Sequence, residues 1–331
     1  MENYSVALCT YNGSKYVIEQ LKSIINQSIK PTQIVVSDDG STDGTVDIVK
    51  EYLSDKGIDH IVTLNNSGKG VSNNFMNALK LCSEEIIFTS DQDDYWMPHK
   101  AEIILKVFND NPKSLMVFSN GELTDDKLNP LGHDIWSTIG ISENKCTEGR
   151  WNEYLLNKCL ITGAAMSLRK SLLQDIPEIP QEWLHDGYLA WAAVIKNGLT
   201  PCNEKLIKYR QHESNVVGLR PKNLIRRLLE WRGIDKKQIL NNRKIKYHRY
   251  LHIQEKWGDQ MNVYQRRELD NCVSFWKELH NLKSHNAVKR AGIVLNLYFK
   301  GYYKKYYNGN KSFIRDLIIS LQKTTSKDGS L

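Results

Sequence analysis

The chain has 331 residues, of which 40% are hydrophobic and 25% are charged, and its formal net charge is +7. This is the composition of a globular protein, and the length allows one large domain or two ordinary ones. The longest apolar run, residues 291–299, is half of the about 18 residues that a membrane-spanning helix needs, so the pattern excludes an integral membrane protein.

Charge is divided unevenly along the chain. Residues 1–220 carry 21 basic and 29 acidic side chains, a net charge of −8, whereas residues 221–331 carry 24 and 9, a net charge of +15. An acidic first part suggests substrate handling, and a basic second part suggests contact with an anionic surface.

Six cysteines are scattered along the chain without a CxxC pair. This usage is typical of free thiols in a reducing compartment and excludes a disulfide scaffold or a zinc ribbon. The expected location is the cytoplasm.

Strand and helix patterns alternate over the first 120 residues. The predicted strands are 4–10, 33–36, 58–64, 85–91 and 114–120, and the predicted helices are 16–29, 70–82, 98–108 and one that carries the apolar residues of 46–53. This alternation predicts an α/β fold of βαβ units with a largely parallel sheet. Polar clusters at 10–14, 38–43 and 91–94 fall at the carboxyl ends of strands, where such sheets bind ligands, so we expect them to face one crevice.

The pattern changes after Asn120. Residues 121–150 are predicted to form loop and short irregular pieces, followed by a strand over 160–169, a helix over 185–198 and a short strand that ends in "YRQHESN". Beyond residue 218 the sequence is basic, aromatic and helix-forming, with no strand signal. We therefore predict a boundary at 218–222 between a first domain, 1–220, and a helical extension, 221–331.

The segment "SDQDDYW" places Asp91, Asp93 and Asp94 at the end of a buried strand. Such close like charges raise one another's pKa unless a cation or a hydrogen-bond donor offsets them. An all-oxygen ligand set favours Mg²⁺ or Mn²⁺, whose coordination is commonly completed by phosphate oxygens. The alternative is that these acids cap the following helix, but a cap needs only one of them.

Taken together, the motifs "ALCTYNG", "VVSDDGSTDGT", "NSGKGVSNN" and "SDQDDYW" closely resemble those of glycosyltransferase family 2, whose fold is GT-A. The resemblance covers about residues 4–218 and continues through "TGAAMSLRK", "WLHDGYLAWAAVIKNG" and "YRQHESNVVG". The variants "DQDDYW", "HDGYLAW" and "YRQHESN" look most like the bacterial rhamnosyltransferase branch.

The resemblance implies a nucleotide-sugar site at named positions. Thr10 and Asp39 match residues that hold the nucleobase and ribose, and Lys69 matches a basic residue near the nucleotide and diphosphate. Asp91 and Asp93 match the DxD pair, of which the first orients the ribose and metal shell and the second ligates Mg²⁺ or Mn²⁺.

The remaining implied positions lie later in the motifs. Asp94 is the neighbouring acid typical of this branch. Asp186 matches the catalytic base, and His212 matches a histidine that closes on the metal or the diphosphate in some relatives. Arg210 is a candidate for binding the diphosphate, although pairing with a surface acid is the commoner fate of an arginine.

Three of these positions keep alternative interpretations. His185 stands where many relatives have an acid, and it is either an orienting partner of Asp186 or simply the start of a helix. His212 could be a loop histidine. Trp183 is a candidate for lining the acceptor site, although tryptophan more often serves packing.

The reaction implied is a single inverting displacement, in which Asp186 takes the proton of an acceptor hydroxyl. The expected donor is dTDP-L-rhamnose and the expected acceptor is a growing bacterial surface polysaccharide or lipid-linked glycan. An alternative donor is a UDP-hexose or a UDP-N-acetylhexosamine. An alternative of another class is a catalytically inactive protein that binds sugar nucleotides or nucleic acid.

The basic extension interleaves Lys and Arg with Leu, Tyr and Trp in "NLIRRLLEWR", "NRKIKYHRYLH" and "LYFKGYYKKYYNGNK". No RNP, KH or zinc pattern accompanies it, so nucleic acid is not an expected partner. The favoured interpretation is peripheral attachment of 222–331 to the anionic inner face of the plasma membrane. The alternative is a solvated helical extension packed on the catalytic domain.

Overall fold

The computed structural model describes residues 3–66, 68–141, 151–158, 161–212 and 236–322. The strands are β1 (Tyr4–Thr10), β2 (Gln33–Asp38), β3 (Asp59–Leu64), β4 (Ile86–Asp91), β5 (Tyr95–Trp96), β6 (Met116–Thr124), β7 (Pro130–Asp134), β8 (Met166–Arg169) and β9 (Leu199–Arg210). The helices are α1 (Val17–Ile25), α2 (Thr45–Leu53), α3 (Val71–Leu81), α4 (Lys100–Asp110), α5 (Ile135–Ile139), α6 (Trp151–Asn157), α7 (His185–Ile195), α8 (Lys236–Trp257), α9 (Val263–Asn281), α10 (Ala287–Phe299), α11 (Tyr302–Tyr306) and α12 (Asn310–Leu321).

Two compact units divide the chain. Unit one comprises Met1–Arg150 with Leu160–Pro221, and unit two comprises Trp151–Cys159 with Lys222–Leu331. The predicted boundary at 218–222 lies outside the described residues, as does the segment "NLIRRLLEWR".

The described strands of unit one form one sheet in the order β3-β2-β1-β4-β8-β6-β9-β5, with β7 paired to β6. The four strands β3, β2, β1 and β4 are mutually parallel, as the alternating pattern predicts. Every residue of β1 and β2 is buried, which is why these strands appear in the sequence as continuous apolar runs.

The other half of the sheet is mixed. β8 runs antiparallel to both of its neighbours, β4 and β6, whereas β9 runs parallel to β6 and antiparallel to β5. The predicted short strand is in fact the twelve-residue β9, which ends at Arg210. This second half brings Arg210 and His212, at and just after the end of β9, to Asp94 and Asp93, which follow β4.

The prediction of irregular structure over 121–150 is wrong for residues 121–124 and 130–139. β6 continues to Thr124, and β7 pairs with it before a capping box between Asp134 and Ser137 begins α5. Because the side chains of β7 are almost all exposed, this edge strand carries no apolar signal in the sequence. Residues 142–150 lie outside the described part of the chain.

The predicted strand over 160–169 is also wrong in its first half. Gly163–Ala165 form a 3₁₀ turn, and only Met166–Arg169 are extended. The hydroxyl of Thr89 on β4 donates to the carbonyls of Gly163, at 2.5 Å, and Met166, at 2.8 Å, and these bonds hold the turn against the sheet. Leu160 is not among the described residues.

All regular elements in the described residues of unit two are helices, as the sequence predicts for the part beyond residue 220, whereas α6, which precedes that part, was not predicted. Its core combines the rings of Phe275, Trp276 and Tyr303 with a buried ion pair between Arg243 and Asp316, 3.0 Å apart. None of the helices in the described ranges combines the length and the apolar character that crossing a bilayer requires.

Candidate functional site

The loops after β1 and β2 are organised by Asp38. Its carboxylate accepts hydrogen bonds from the backbone N–H groups of Gly40, at 3.0 Å, and Ser41, at 2.7 Å. It also accepts from the hydroxyls of Ser41 and Thr10, both at 2.6 Å. The hydroxyl of Thr10, a predicted nucleotide contact, is therefore engaged by Asp38, and the Thr10 side chain is buried.

A second acid of the same motif, Asp43, also serves the loop. Burial would raise its pKa, but hydrogen bonds from Thr45 and Ser14 outweigh that effect and lower the pKa to about 2. Asn12 completes the connection, because its side-chain oxygen accepts the N–H of Thr42 at 2.9 Å. Two of the three aspartates in "DDGSTDG" thus build the turn itself.

Asp39 faces the third loop instead. Its two carboxylate oxygens accept the side-chain amide of Asn65, at 2.8 Å, and the backbone N–H of Gly70, at 2.9 Å. Asn65 also donates to the carbonyl of Gly68 at 2.7 Å. Asp39 therefore holds the loop around the exposed Lys69 through Asn65 and Gly70. The structure places the predicted nucleotide positions Asp39 and Lys69 in adjoining loops.

The register of the parallel strands brings the acidic segment to the same edge. Thr10 pairs with Asp38 across β1 and β2, and Cys9 pairs with Asp91 across β1 and β4. Gln92 then joins the loop after β1, since its side chain accepts the N–H of Tyr11 at 2.8 Å and donates to the Tyr11 carbonyl at 3.0 Å.

Asp91, Asp93 and Asp186 are electrostatic neighbours although they come from distant parts of the chain. Burial, followed by repulsion from Asp93 and Asp186, raises the pKa of Asp91 to about 7, against the opposing effect of Lys100. The predicted base Asp186 is therefore close enough to Asp91 for the two charges to interact.

Asp94 lies deeper than its neighbours and is 2% exposed. One of its oxygens accepts the backbone N–H of Arg210 at 3.1 Å. Burial, together with the charges of Asp93 and Asp91, raises the pKa of Asp94 well above its usual range. A buried carboxyl at this position ties the acidic segment to the end of β9.

Asp93 and His212 form the candidate metal pair. The imidazole Nε2 lies 2.8 Å from a carboxylate oxygen of Asp93, and the ring stacks on Tyr16 with centroids 5.0 Å apart. Adjacent ligands of an octahedral Mg²⁺ or Mn²⁺, at about 2.1 Å from the ion, are about 3.0 Å apart, so these two donors fit neighbouring positions. No group of three or more His, Cys, Asp or Glu side chains in the described ranges is arranged to hold a metal ion. Substrate oxygens and water are further ligands that such an ion takes.

Arg210 is engaged by protein groups on all three guanidinium nitrogens. It donates to the carbonyls of Asp93 and Asp126 and to the carboxylate of Glu19, which lies 2.5 Å away. Its side chain is 3% exposed and lies over the ring of Tyr16. This arrangement matches the alternative in which Arg210 pairs with an acid, and its role in diphosphate binding stays a prediction.

Asp186 stands in the first turn of α7, where its carboxylate accepts the N–H of Gly187 at 2.6 Å. The preceding His185 is buried, and its ring stacks on Phe75 with centroids 4.1 Å apart. Burial lowers the pKa of His185 to about 3, so the ring is neutral. Its backbone N–H donates to the hydroxyl of Ser72 at 3.0 Å, which fixes the start of α7 against α3.

Trp183 is 3% exposed, and its ring packs near Tyr188 at 5.9 Å. Such burial favours the packing role over contact with an acceptor. The acceptor role of Trp183 stays a prediction that the geometry does not favour.

Two residues at the centre of the site were not singled out from the sequence. Tyr209 is buried, and after burial itself the carboxylates of Asp94, Asp91, Asp93 and Asp186 all contribute to raising its pKa. The sequence signal that could have pointed to Tyr209 is its place in the motif "YRQH".

Lys100 is the second such residue. It is completely buried, its ammonium lies 4.0 Å from the centre of the Trp96 ring, and it donates to the carbonyl of Ala164 at 3.3 Å. Burial lowers its pKa to about 7, while the charges of Asp94 and Asp91 act in the opposite direction. A lysine that closely follows an acidic cluster was a weak signal, because most lysines are exposed.

Comparison with known proteins gives a family match. The family described as glycosyl transferase family 2 matches residues 5–176. The dTDP-rhamnosyl transferase RfbG of Shigella flexneri is 30% identical over 224 residues, which cover 64% of this chain and 73% of that protein.

Two further relatives show how far the similarity extends. The UDP-Glc:alpha-D-GlcNAc-diphosphoundecaprenol beta-1,3-glucosyltransferase WfaP of Escherichia coli is 27% identical, over 68% of this chain and 84% of that protein. An uncharacterized glycosyltransferase of Nostoc is 24% identical over 64% of this chain, and the match spans 65% of the Nostoc protein.

Among solved structures, S. aureus TarS 1-349 in complex with UDP-GlcNAc superposes with a TM-score of 0.54 at 17% identity, covering 96% of this chain and 89% of that one. At this identity the likeness shows the fold alone, and it confirms the expected GT-A fold class with a helical C-terminal region.

Proposed function

The chain belongs to glycosyl transferase family 2, and from that membership we propose that it transfers a sugar from a nucleotide-sugar donor to a hydroxyl of a growing polysaccharide or lipid-linked glycan. The observation that carries the proposal is that Asp91, at the carboxyl end of β4, lies close enough to Asp93 and Asp186 for their charges to act on it. Ligands of α/β sheets bind at this edge.

We assign the nucleotide to the loops after β1, β2 and β3. Asp39 would accept hydroxyls of the ribose with the lone pairs that Asn65 and Gly70 leave available, since each carboxylate oxygen can accept two hydrogen bonds. Lys69 is exposed in the same region and would lie near the diphosphate charge. Thr10 contributes by holding Asp38, and through it the loop, in place.

Asp93 and His212 would hold Mg²⁺ or Mn²⁺, with Asp91 orienting the ribose and the water around the ion. A bound divalent ion would neutralise the negative charge that develops on the diphosphate leaving group. The chain's own contribution is to keep a carboxylate oxygen of Asp93 next to Nε2 of His212. The Tyr16 ring supports this arrangement by stacking on His212, and the Arg210 side chain supports it by donating to the Asp93 carbonyl.

Asp186 would act as the base of a single inverting displacement. Its carboxylate takes the proton from the acceptor hydroxyl as that oxygen bonds to the anomeric carbon and the bond to the diphosphate breaks. The start of α7 is fixed by Ser72 and by the stacking of His185 on Phe75, and this support keeps the carboxylate in position. Burial keeps the pKa of His185 well below its usual range, so its ring orients the turn without competing for the proton.

For the donor we propose dTDP-L-rhamnose. The relative named as a dTDP-rhamnosyl transferase, at 30% identity, supports this choice. The relative named as using UDP-Glc supports the alternative of a UDP-hexose. Donor choice depends on the shape of the sugar pocket. The presence of Tyr209 and the neighbouring aspartates does not distinguish between these sugars.

The test is a panel of dTDP-L-rhamnose, UDP-glucose, UDP-galactose and UDP-N-acetylglucosamine, incubated with the purified chain and Mn²⁺ or Mg²⁺. Release of the nucleotide diphosphate is measured, and NMR of the released or transferred sugar gives its anomeric configuration. We expect turnover of dTDP-L-rhamnose, inversion, and loss of activity in chelator. Retention of configuration or full activity in chelator would contradict the mechanism or the metal assignment, respectively.

Two variants separate binding from chemistry. Asp186→Asn should abolish turnover while calorimetry still detects donor binding, and Asp93→Ala should weaken binding of the donor with Mn²⁺ more than its binding without the ion. Unchanged turnover in Asp186→Asn would show that Asp186 is not the base, whereas binding of the donors without turnover by the wild-type chain would favour the inactive sugar-nucleotide-binding alternative.

A further inference from the structure

Helices α10 and α12 of unit two pack against each other in antiparallel fashion. The rings of Tyr298 and Phe313 stack with centroids 3.9 Å apart near one end of the pair. At the other end, the Arg290 guanidinium donates to the carbonyls of Ser320, at 2.9 Å, and Gln322, at 2.6 Å. These contacts fix which side of each helix faces inward.

The outward side of α10 is apolar. Arg290, Val294 and Leu297 are buried, whereas Val288 and Phe299 are 83% and 81% exposed. Leu295 lies between them on the same side, because spacings of seven and four residues return to one face of a helix. A helix that leaves a Val and a Phe exposed to this extent on one side does not present an ordinary water-facing surface.

The pattern on α12 is the reverse of that expected for a helix facing water. Its fully buried side chains are polar, Ser312, Asp316 and Ser320. Its exposed large side chains are Ile314 at 46%, Ile318 at 53% and Leu321 at 61%. We call the surface formed by Val288, Leu295, Phe299, Ile314, Ile318 and Leu321 the outer face of the pair. On both helices these residues lie opposite the buried positions.

The exposed charged side chains of the segment that contains the outer face are all positive. Residues 281–322 contain eight Lys and Arg and a single acid, Asp316. That acid is completely buried and pairs with Arg243 and Arg315. The exposed charged side chains of this segment are all lysines, Lys283, Lys289, Lys300, Lys304 and Lys311. An apolar face on a segment whose exposed charged side chains are all lysines is complementary to an anionic surface with an apolar interior.

We propose that the outer face docks on an anionic lipid bilayer, with its apolar side chains in the boundary between headgroups and acyl chains and its lysines on the lipid phosphates. This is the mode of an interfacial amphipathic surface, in which apolar burial and headgroup attraction add. A second copy of the chain is a poorer occupant, because two such faces would oppose lysine to lysine. Nucleic acid would satisfy the lysines but leave the apolar face exposed to water.

The test is co-sedimentation of the purified full chain with vesicles of phosphatidylcholine, either alone or mixed with phosphatidylglycerol. We expect binding to the mixed vesicles, weakening with salt, and little binding to phosphatidylcholine alone. No sugar donor is present, so the result is independent of the proposed transferase activity.

Variants then locate the contact. Phe299→Gln combined with Ile318→Gln should weaken vesicle binding by at least about tenfold. Val263→Gln, which removes an 87% exposed side chain at the start of α9, is the matched control and should bind as the wild type does. Lys289→Gln and Lys300→Gln should each cost about fivefold. Circular dichroism checks that every variant is folded.

Three outcomes would overturn the proposal. They are the absence of wild-type binding to anionic vesicles, equal binding to neutral vesicles, and undiminished binding of the Phe299→Gln, Ile318→Gln double variant. If light scattering instead finds a dimer that this double variant converts to a monomer, the outer face belongs to an interface between copies.

Discussion

Replacing Gly163 with alanine tests how the candidate base is positioned. A β-carbon added at Gly163 would lie 2.8 Å from Nε2 and 3.2 Å from Cε1 of His185. The backbone at Gly163 does not have a positive φ, so the alanine is strained only by this contact. The His185 ring cannot retreat easily, because its other face stacks on Phe75. The turn that carries Asp186 therefore has to move.

The size of the effect follows from the distances. Ordinary contact begins at 3.4 Å, so the 2.8 Å approach requires a shift of about 0.6 Å. Overpacking of this kind costs about 1–3 kcal/mol of folding free energy. Because a displacement of about 1 Å at a catalytic group can cost about a hundredfold in rate, we expect kcat to fall about tenfold in Gly163→Ala.

The assay measures nucleotide release at saturating donor together with the melting temperature. Gly292→Ala is the matched control, because no heavy atom lies within 4 Å of the added β-carbon in helix α10. That variant should gain about 0.5–1 kcal/mol in stability and keep its activity. If Gly163→Ala retains wild-type kcat while its melting temperature falls, the contact supports the fold but does not position Asp186.

Three further predictions concern stability. The pKa of Asp91 is raised to about 7 in the folded protein, so the native state retains a proton that the unfolded state loses above about pH 4, and stability falls as pH rises towards 7. Without metal, Asp91→Asn should therefore have a higher melting temperature than the wild type at pH 8, and this difference should narrow towards pH 4. A difference in melting temperature that does not change with pH would refute the raised pKa. Asp316→Ala should destabilise the chain by about 3–5 kcal/mol in thermal unfolding, because it leaves Arg243 buried without its partner, and a loss below about 1 kcal/mol would contradict this. Thr10→Val removes the 2.6 Å bond to Asp38 and should cost about 1 kcal/mol in urea unfolding, whereas an unchanged midpoint would show that the bond contributes nothing net.

The parallel half of the sheet was predictable because its signal is local. Buried strands such as β1 and β2 produce continuous apolar runs, and turn residues follow them directly. The edge strand β7 was missed because its exposed side chains carry no such run. The 3₁₀ turn at Gly163–Ala165 was missed because the bonds that hold it come from Thr89, 74 residues earlier.

The candidate site also has a part that was predictable from the sequence and a part that was not. The motifs named Asp39, Asp91, Asp93 and Asp186, and the register of parallel strands explains why acids after different strands meet at one edge. The partner of Arg210 was not predictable, since Glu19 lies 191 positions away along the chain.

By itself, therefore, the amino-acid sequence determined the alternating strands and helices, the acids at the strand ends and the basic character of the last third. Only the tertiary structure decided that the charges of four carboxylates act on the buried Tyr209, that Lys100 is buried, and that α12 turns Ile314 and Ile318 outward. Periodicity and turn chemistry act over a few residues, whereas burial and charge pairing depend on which distant segments the packed chain brings together.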